Sequence, residues 1–254
     1  HNETVYARLE GPDSRYIVGY SLEDGSEQWR HELPPDVSAE QRPGNAPDAA
    51  VHDGTIYYAT QTENENALVA QSLTDGSVQW NCSLTRSCGA PRETLSELVV
   101  ADGSVYAFTT VDPSEDSAIA ASLWSVDADS GTREWVCSSP YPLYGSPTAT
   151  DGHVYLGTEA PLTEDASGRY YDVAPISEYP TVVAVDAESG EVSWAYAEPP
   201  EGGGEDELVA RTPVVTDDGI YVKATGDDRD SSTRVLSLTA TDTEIGPNHR
   251  PQQL

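Results

Sequence analysis

The chain has 254 residues, 37% of them hydrophobic, and carries 44 acidic against 13 basic residues for a formal net charge of −31. That balance rules against a nucleic-acid partner, because phosphate backbones are held by clustered Lys and Arg, and no basic stripe occurs here. No run of 18 apolar residues and no charged-then-apolar leader is present, so neither membrane insertion within this chain nor a retained secretion signal is expected.

Val5 to Arg8 alternates in the manner of a strand, and YSLEDGSEQW follows, an alternating strand, an acidic Gly-containing turn and a second strand closing on Trp29. His52 opens a different phrase, HDGTIYYAT, in which Asp-Gly provides the positive-φ positions of a tight turn and the next residues alternate again. The two phrases then take turns. QSLTDGSVQW ends on Trp80, ADGSVYAFT starts at Ala101, and SVDADSGTREW ends on Trp135. TDGHVYLGT starts at Thr150, AVDAESGEVSW ends on Trp194, and DDGIYVKAT starts at Asp217. SLTATDTEIG closes the series, with Pro247 where the earlier copies carry Trp.

The tryptophans are spaced 51, 55 and 59 residues apart. Two hairpins per repeat make a four-stranded antiparallel sheet whose faces cannot be buried by one repeat alone, and radial stacking of such sheets gives an all-β propeller. The repeat Trp is expected to cover the apolar face between one blade and the next. Units fall at roughly 1–33, 46–85, 95–139, 146–198 and 208–248, within a single domain spanning 1–254. The first unit lacks its inner strand and the last has a degraded outer one. The ring therefore either closes with five blades or forms part of one with seven or eight.

These phrases, DG-x-VY followed by text like AVDAESGEVSW, resemble the repeats of pyrroloquinoline-quinone-dependent dehydrogenases and of their non-enzymatic relatives, including an outer-membrane assembly lipoprotein with an eight-bladed propeller. The likeness covers nearly the whole chain. In the quinone enzymes it would imply an adjacent Cys-Cys disulfide against the cofactor, a calcium held by Glu, Asn and Asp, and a Trp platform. Cys82, Cys88 and Cys137 are not adjacent, and the chain has about half the length of those enzymes. The non-enzymatic branch is the one implied, with no quinone cofactor.

Acid spread among periodic apolar segments is the surface of a folded body. Screening at molar salt, where the Debye length is about 3 Å, removes its self-repulsion, which points to a halophile of haloarchaeal type. Lys223 is the single lysine. An odd cysteine count in an exported protein suggests one pair, expected between Cys82 and Cys88, with Cys137 left over. Asn2 and Asn81 head glycosylation sequons.

His1, His31, His52, His153 and His249 are dispersed and match no zinc spacing, and His52 and His153 flank repeat turns. Asp227, Asp228 and Asp230 lie between strands and are the candidates for loosely bound calcium or another cation. Gly202 to Gly204, ringed by acids, reads as a linker, since a phosphate cradle needs a lysine. The stretch Glu159 to Pro180 interrupts the fourth unit and carries Tyr170, Tyr171 and Tyr179, the expected partner surface, with Tyr141 and Tyr144 nearby. The function expected is an extracellular or cell-surface scaffold of a high-salt environment holding a protein or glycan partner. The alternatives are an enzyme acting at the propeller channel, or the sensor domain of a membrane receptor.

Overall fold

The computed structural model describes residues 4–10, 14–33, 49–61, 66–84, 93–95, 98–111, 121–139, 143–160, 182–196, 208–225 and 233–238. Among these are twenty strands and no helix, so among the described residues no helix is long and apolar enough to cross a membrane.

Blade 1 holds β1 (Thr4–Glu10), β2 (Arg15–Ser21) and β3 (Glu27–Leu33), paired in that order. Blade 2 is a complete four-stranded unit, with β4 (Ala50–His52), β5 (Thr55–Gln61), β6 (Asn66–Ser72) and β7 (Val78–Ser83). In blade 3 the innermost strand is split into β8 (Glu93–Leu95) and β9 (Val99–Ala101), both against β10 (Ser104–Val111), followed by β11 (Ala121–Asp127) and β12 (Arg133–Ser139). Blade 4 comprises β13 (Leu143–Thr150), β14 (His153–Ala160), β15 (Val182–Asp186) and β16 (Val192–Tyr196). Blade 5 contributes β17 (Leu208–Ala210), β18 (Val214–Thr216), β19 (Gly219–Thr225) and β20 (Thr233–Leu238). All pairings are antiparallel, so each unit is a meander, as the two-hairpin grammar requires. One pairing crosses between units: β17 joins β14 through Glu159↔Val209 and also joins β19, fusing blades 4 and 5 into one eight-stranded sheet.

The turns explain the sequence phrases. Asp53, Asp102 and Asp151 take φ of 46°, 50° and 53°, and the glycines after them lie at 77°, 83° and 73°, the two-residue turn whose twist matches the flanking strands. The fifth unit departs from expectation. Its turn is Asp217-Asp218, Thr216 pairs with Gly219, and the glycine opens β19 instead of serving the turn. The extra aspartate shifts the phrase by one, and the Thr216 hydroxyl caps the turn by accepting from the Asp218 amide at 3.3 Å and donating to the Gly219 carbonyl at 3.1 Å.

A bulge stands immediately before every repeat tryptophan. Gly19 pairs with Trp29 but Tyr20 with Glu27, and the same one-residue shift occurs at Ala70/Gln71, Ser125/Val126 and Ala184/Val185. Gln28, Gln79, Glu134 and Ser193 are the residues left over, and the bulge re-aims the tryptophan beyond them. Three of the bulged side chains reach across the blade. Thr4 donates to Gln28 at 2.8 Å, Thr55 to Gln79 at 3.3 Å, and Ser104 to Glu134 at 2.8 Å, each tying the outer strand to the start of the second strand.

Replacing Gly103 by Ala should cost about 1–2 kcal/mol, since an added Cβ meets nothing within 4 Å and only the left-handed backbone is penalised. Gly131→Ala should cost more, because there the Cβ would stand 2.6 Å from the Trp80 ring. Equal losses in chemical unfolding at high salt would contradict this division between backbone and contact.

Candidate interaction surface

The apolar side chains of consecutive blades meet face to face. Tyr57, Leu68, Ala70 and Trp80 of blade 2 pack with Val105, Ala107, Trp124 and Val126 of blade 3. Tyr106, Phe108 and Leu123 of blade 3 pack with Val154, Leu156, Val183 and Val185 of blade 4. Tyr155, Val182 and Ala184 meet Ile220, Val222 and Leu238 of blade 5, and Trp29 of blade 1 packs against Ile56, Tyr58 and Val69 of blade 2.

Each seam between blades 2, 3 and 4 centres on an indole. The Trp80 ring lies over Gly131, and its Nε1 donates to the Ala128 carbonyl at 2.8 Å. Trp135 repeats the contact one blade later, over Gly190, donating to the Ala187 carbonyl at 2.9 Å. The receiving turn must lack a side chain where the ring sits, which is why glycine recurs there at φ of 69° and 73°. Trp194 packs against the fifth blade's cluster with Val215.

A tyrosine supports each ring from its own blade: Tyr57 lies 5.8 Å from Trp80, Tyr106 lies 5.9 Å from Trp135 and Tyr155 lies 6.1 Å from Trp194, all tilted. These tyrosines were not singled out from sequence. The signal was there, because each falls three residues after the Asp-Gly glycine.

The receiving turns are stapled by their own acids. Asp127 Oδ1 accepts from the Ser130 amide at 2.8 Å and from its hydroxyl, and Asp186 does the same with Ser189 at 2.8 and 2.7 Å. Asp24 and Asp75 hold Ser26 and Ser77 in the variant turns of blades 1 and 2. Hydrogen bonds from these serines keep all four carboxyls below the usual carboxylate range. Such acids stay ionised and brace turns. Burial pushes the Cys82 and Cys137 thiols up, so both stay protonated at neutral pH.

The residues anticipated as sites are distributed as follows. Tyr144 stands in β13 opposite Gly157, at the end of blade 4 from which the stretch after Ala160 departs. Tyr141, Tyr170, Tyr171 and Tyr179 lie outside the described residues, as do Asp227, Asp228, Asp230, Asn2 and Cys88. Asn81 is exposed on β7. Cys82 is a buried free thiol on blade 2, and Cys137 is free on blade 3. His52, exposed, lies 3.6 Å from Asp53, and His153 Nδ1, half-buried, lies 3.1 Å from the Asp151 carbonyl, both beside turns. Among the described residues no group of three His, Cys, Asp or Glu is placed to hold a metal.

The family model described as outer membrane protein assembly factor BamB matches residues 13–160, more than half of the chain. The chain belongs to this family. Among solved structures it is similar to a europium-containing methanol dehydrogenase at 13% identity and TM-score 0.55, covering 93% of this chain and 50% of that one. BamB from Moraxella catarrhalis is 17% identical, with TM-score 0.51 and coverage of 93% and 69%. A quinohemoprotein alcohol dehydrogenase from Comamonas testosteroni is 15% identical, with TM-score 0.54 and coverage of 87% and 40%. The chain thus spans half the length of the methanol dehydrogenase, and at these identities the likeness establishes the β-propeller fold alone. No curated protein matches the sequence.

Among the described residues of this BamB-type chain no two cysteines stand together. Cys82 and Cys137 belong to different blades, and all five tryptophans are engaged in packing, Trp124 being buried with its Nε1 donating to Thr109 at 3.2 Å.

Trp80→Ala should lower stability by about 3–5 kcal/mol in chemical unfolding at high salt, the cost of emptying a buried aromatic site. An unchanged midpoint would remove the seam from the account. Ser130→Ala takes away the main donor to Asp127, so this carboxyl should titrate closer to the usual range in an NMR pH series. A carboxyl depressed in the folded state stabilises above its unfolded value and loses that contribution as pH falls through the folded one. Removing Ser130 therefore shrinks the stability available above about pH 4, and an unmoved Asp127 titration refutes the staple.

Proposed function

We propose that this chain is a binding and scaffold propeller that works outside the cell or at its surface in high salt, where it holds a protein or glycan partner. The observation that carries this reading is the use made of the recurring residues. The Asp and Ser of the repeat brace turns, the Trp and Tyr fill seams, and the Gln or Glu before the Trp locks a bulge. What the repeat conserves of chemistry is consumed in building blades. Family membership supports the same reading, since the description names an assembly factor. The dehydrogenase likeness supports an enzyme at the propeller channel only at the level of fold.

Partner contact is assigned to the irregular segment of the fourth unit, with Tyr170, Tyr171 and Tyr179, rooted beside Tyr144 where β17 ties two blades together. The net charge of −31 and the single lysine support a high-salt setting, because close carboxylates repel unless screened. Loose cation binding at Asp227, Asp228 and Asp230 and glycans on Asn2 and Asn81 belong to the same proposal.

Deletion of residues 163–176 should reduce partner capture from a high-salt extract at least tenfold while leaving the unfolding midpoint unchanged. Full capture by the deleted chain would discard the loop. Dye reduction with an alcohol after adding pyrroloquinoline quinone and calcium would overturn the scaffold reading itself.

A further inference from the structure

We infer that the outer edge of β12 is an interface at which two copies of this chain join, the two strands pairing antiparallel about Val136. Blades 1 to 4 end outward on β3, β7, β12 and β16, and among the described residues no strand pairs with the far edge of any of them. Blades stack face to face around the axis, so no further blade of the ring, whatever their number, covers this rim. A bare strand edge templates pairing with another chain unless charge, proline, shortness or a covering group blunts it.

Three of the four edges are blunted. β3 carries exposed Glu27, Arg30 and Glu32. β7 presents Asn81, the exposed asparagine of a glycosylation sequon. β16 runs only three residues past its bulge, Trp194 to Tyr196. β12 runs five residues past its own, Trp135 to Ser139, with neither charge nor proline among them. The position after the repeat tryptophan is Arg30, Asn81 and Ala195 in the other blades, whereas here it is Val136, 49% exposed. Trp135 to Thr150 is also the longest stretch of the chain without Asp, Glu, Lys or Arg, sixteen residues against ten at most elsewhere.

This edge is complementary to itself. One antiparallel register overlaps the whole of both strands, and it sets Val136 against Val136, Glu134 against Ser138 and Arg133 against Ser139, so no like charges oppose each other. Such a pairing is isologous and closes at two copies. The net charge of −31 on each copy opposes approach. At molar salt the Debye length of about 3 Å confines that repulsion to groups in contact, and past the bulge β12 supplies none. Joining at the rim leaves both ends of each ring open, so the pair presents every partner surface twice. The inference stands without the scaffold reading and adds to it.

Sedimentation velocity of the full chain at high salt should show monomer and dimer in a concentration-dependent exchange. Val136→Arg gives β12 the residue that β3 carries at the same position, and it should weaken the dimer at least tenfold with an unchanged unfolding midpoint. Val136→Cys is an arm that depends on no loss. Residues opposed in an antiparallel pair stand within disulfide reach, so mild oxidation should link two chains through this position, whereas Asn81→Cys on β7 should not link. A chain that stays monomeric, a dimer that Val136→Arg leaves intact, or linkage through Asn81→Cys in place of Val136→Cys overturns the interface. So does a monomer whose β12 amides shift in NMR when the capped peptide Ser-Thr-Val-Thr-Ser is added, since the edge then belongs to a foreign strand. Partner capture through residues 163–176 is read separately, so a failed interface and a failed scaffold give different results.

Discussion

The structure depends on covering both faces of every four-stranded blade. A sheet this small has no interior, so its stability is borrowed from the neighbour on each side. The indole over glycine meets that need with two constraints at once. The ring removes apolar area from water, and its one polar atom finds a carbonyl that the receiving turn points at it, so burial leaves no donor unsatisfied. Glycine is required on the receiving side for space as well as for conformation. The bulge is required on the giving side, because without the extra residue the alternation of the strand would aim the ring elsewhere.

Much of this could be read from the residues. Asp-Gly before an alternating run gave the first hairpin of blades 2, 3 and 4, and the Trp phrases gave the second, because tight turns and period-two strands are local properties. The three-stranded sheet that blade 1 forms among the described residues fits the same grammar. The shifted turn at Asp217-Asp218 was not legible, since an Asp-Asp-Gly string fits two registers and the choice is made by pairing with β19. Nor was the double allegiance of β17, which depends on where two blades come together in space.

The seam residues were legible in part. Tryptophan announced itself through its rarity and spacing. Tyr57, Tyr106 and Tyr155 recur as regularly, yet a tyrosine in a strand reads first as a strand former, and only the aromatic contact distinguishes the two roles. Gln79 and Glu134 carry no sequence mark, because a bulged position looks like any outward polar residue until the register is known. Carboxylates gave the opposite difficulty: so many were available that chemistry could be imagined anywhere, and the serine hydrogen bonds show four of them occupied.

The ladder shared by β14, β17 and β19 sets blades 4 and 5 apart mechanically. Among the described residues the other seams join blades through side chains, which slide past one another once the rings are withdrawn. The junction after Ala160 is held by main-chain bonds loaded along the strands, and such bonds must rupture together. Under tension the molecule would shed its early blades one at a time and keep the final pair as a single stiff body. Residues 160 and 182, which bound the stretch 161–181, belong to β14 and β15 of that same sheet, so a pull applied through that stretch would load the part that yields last.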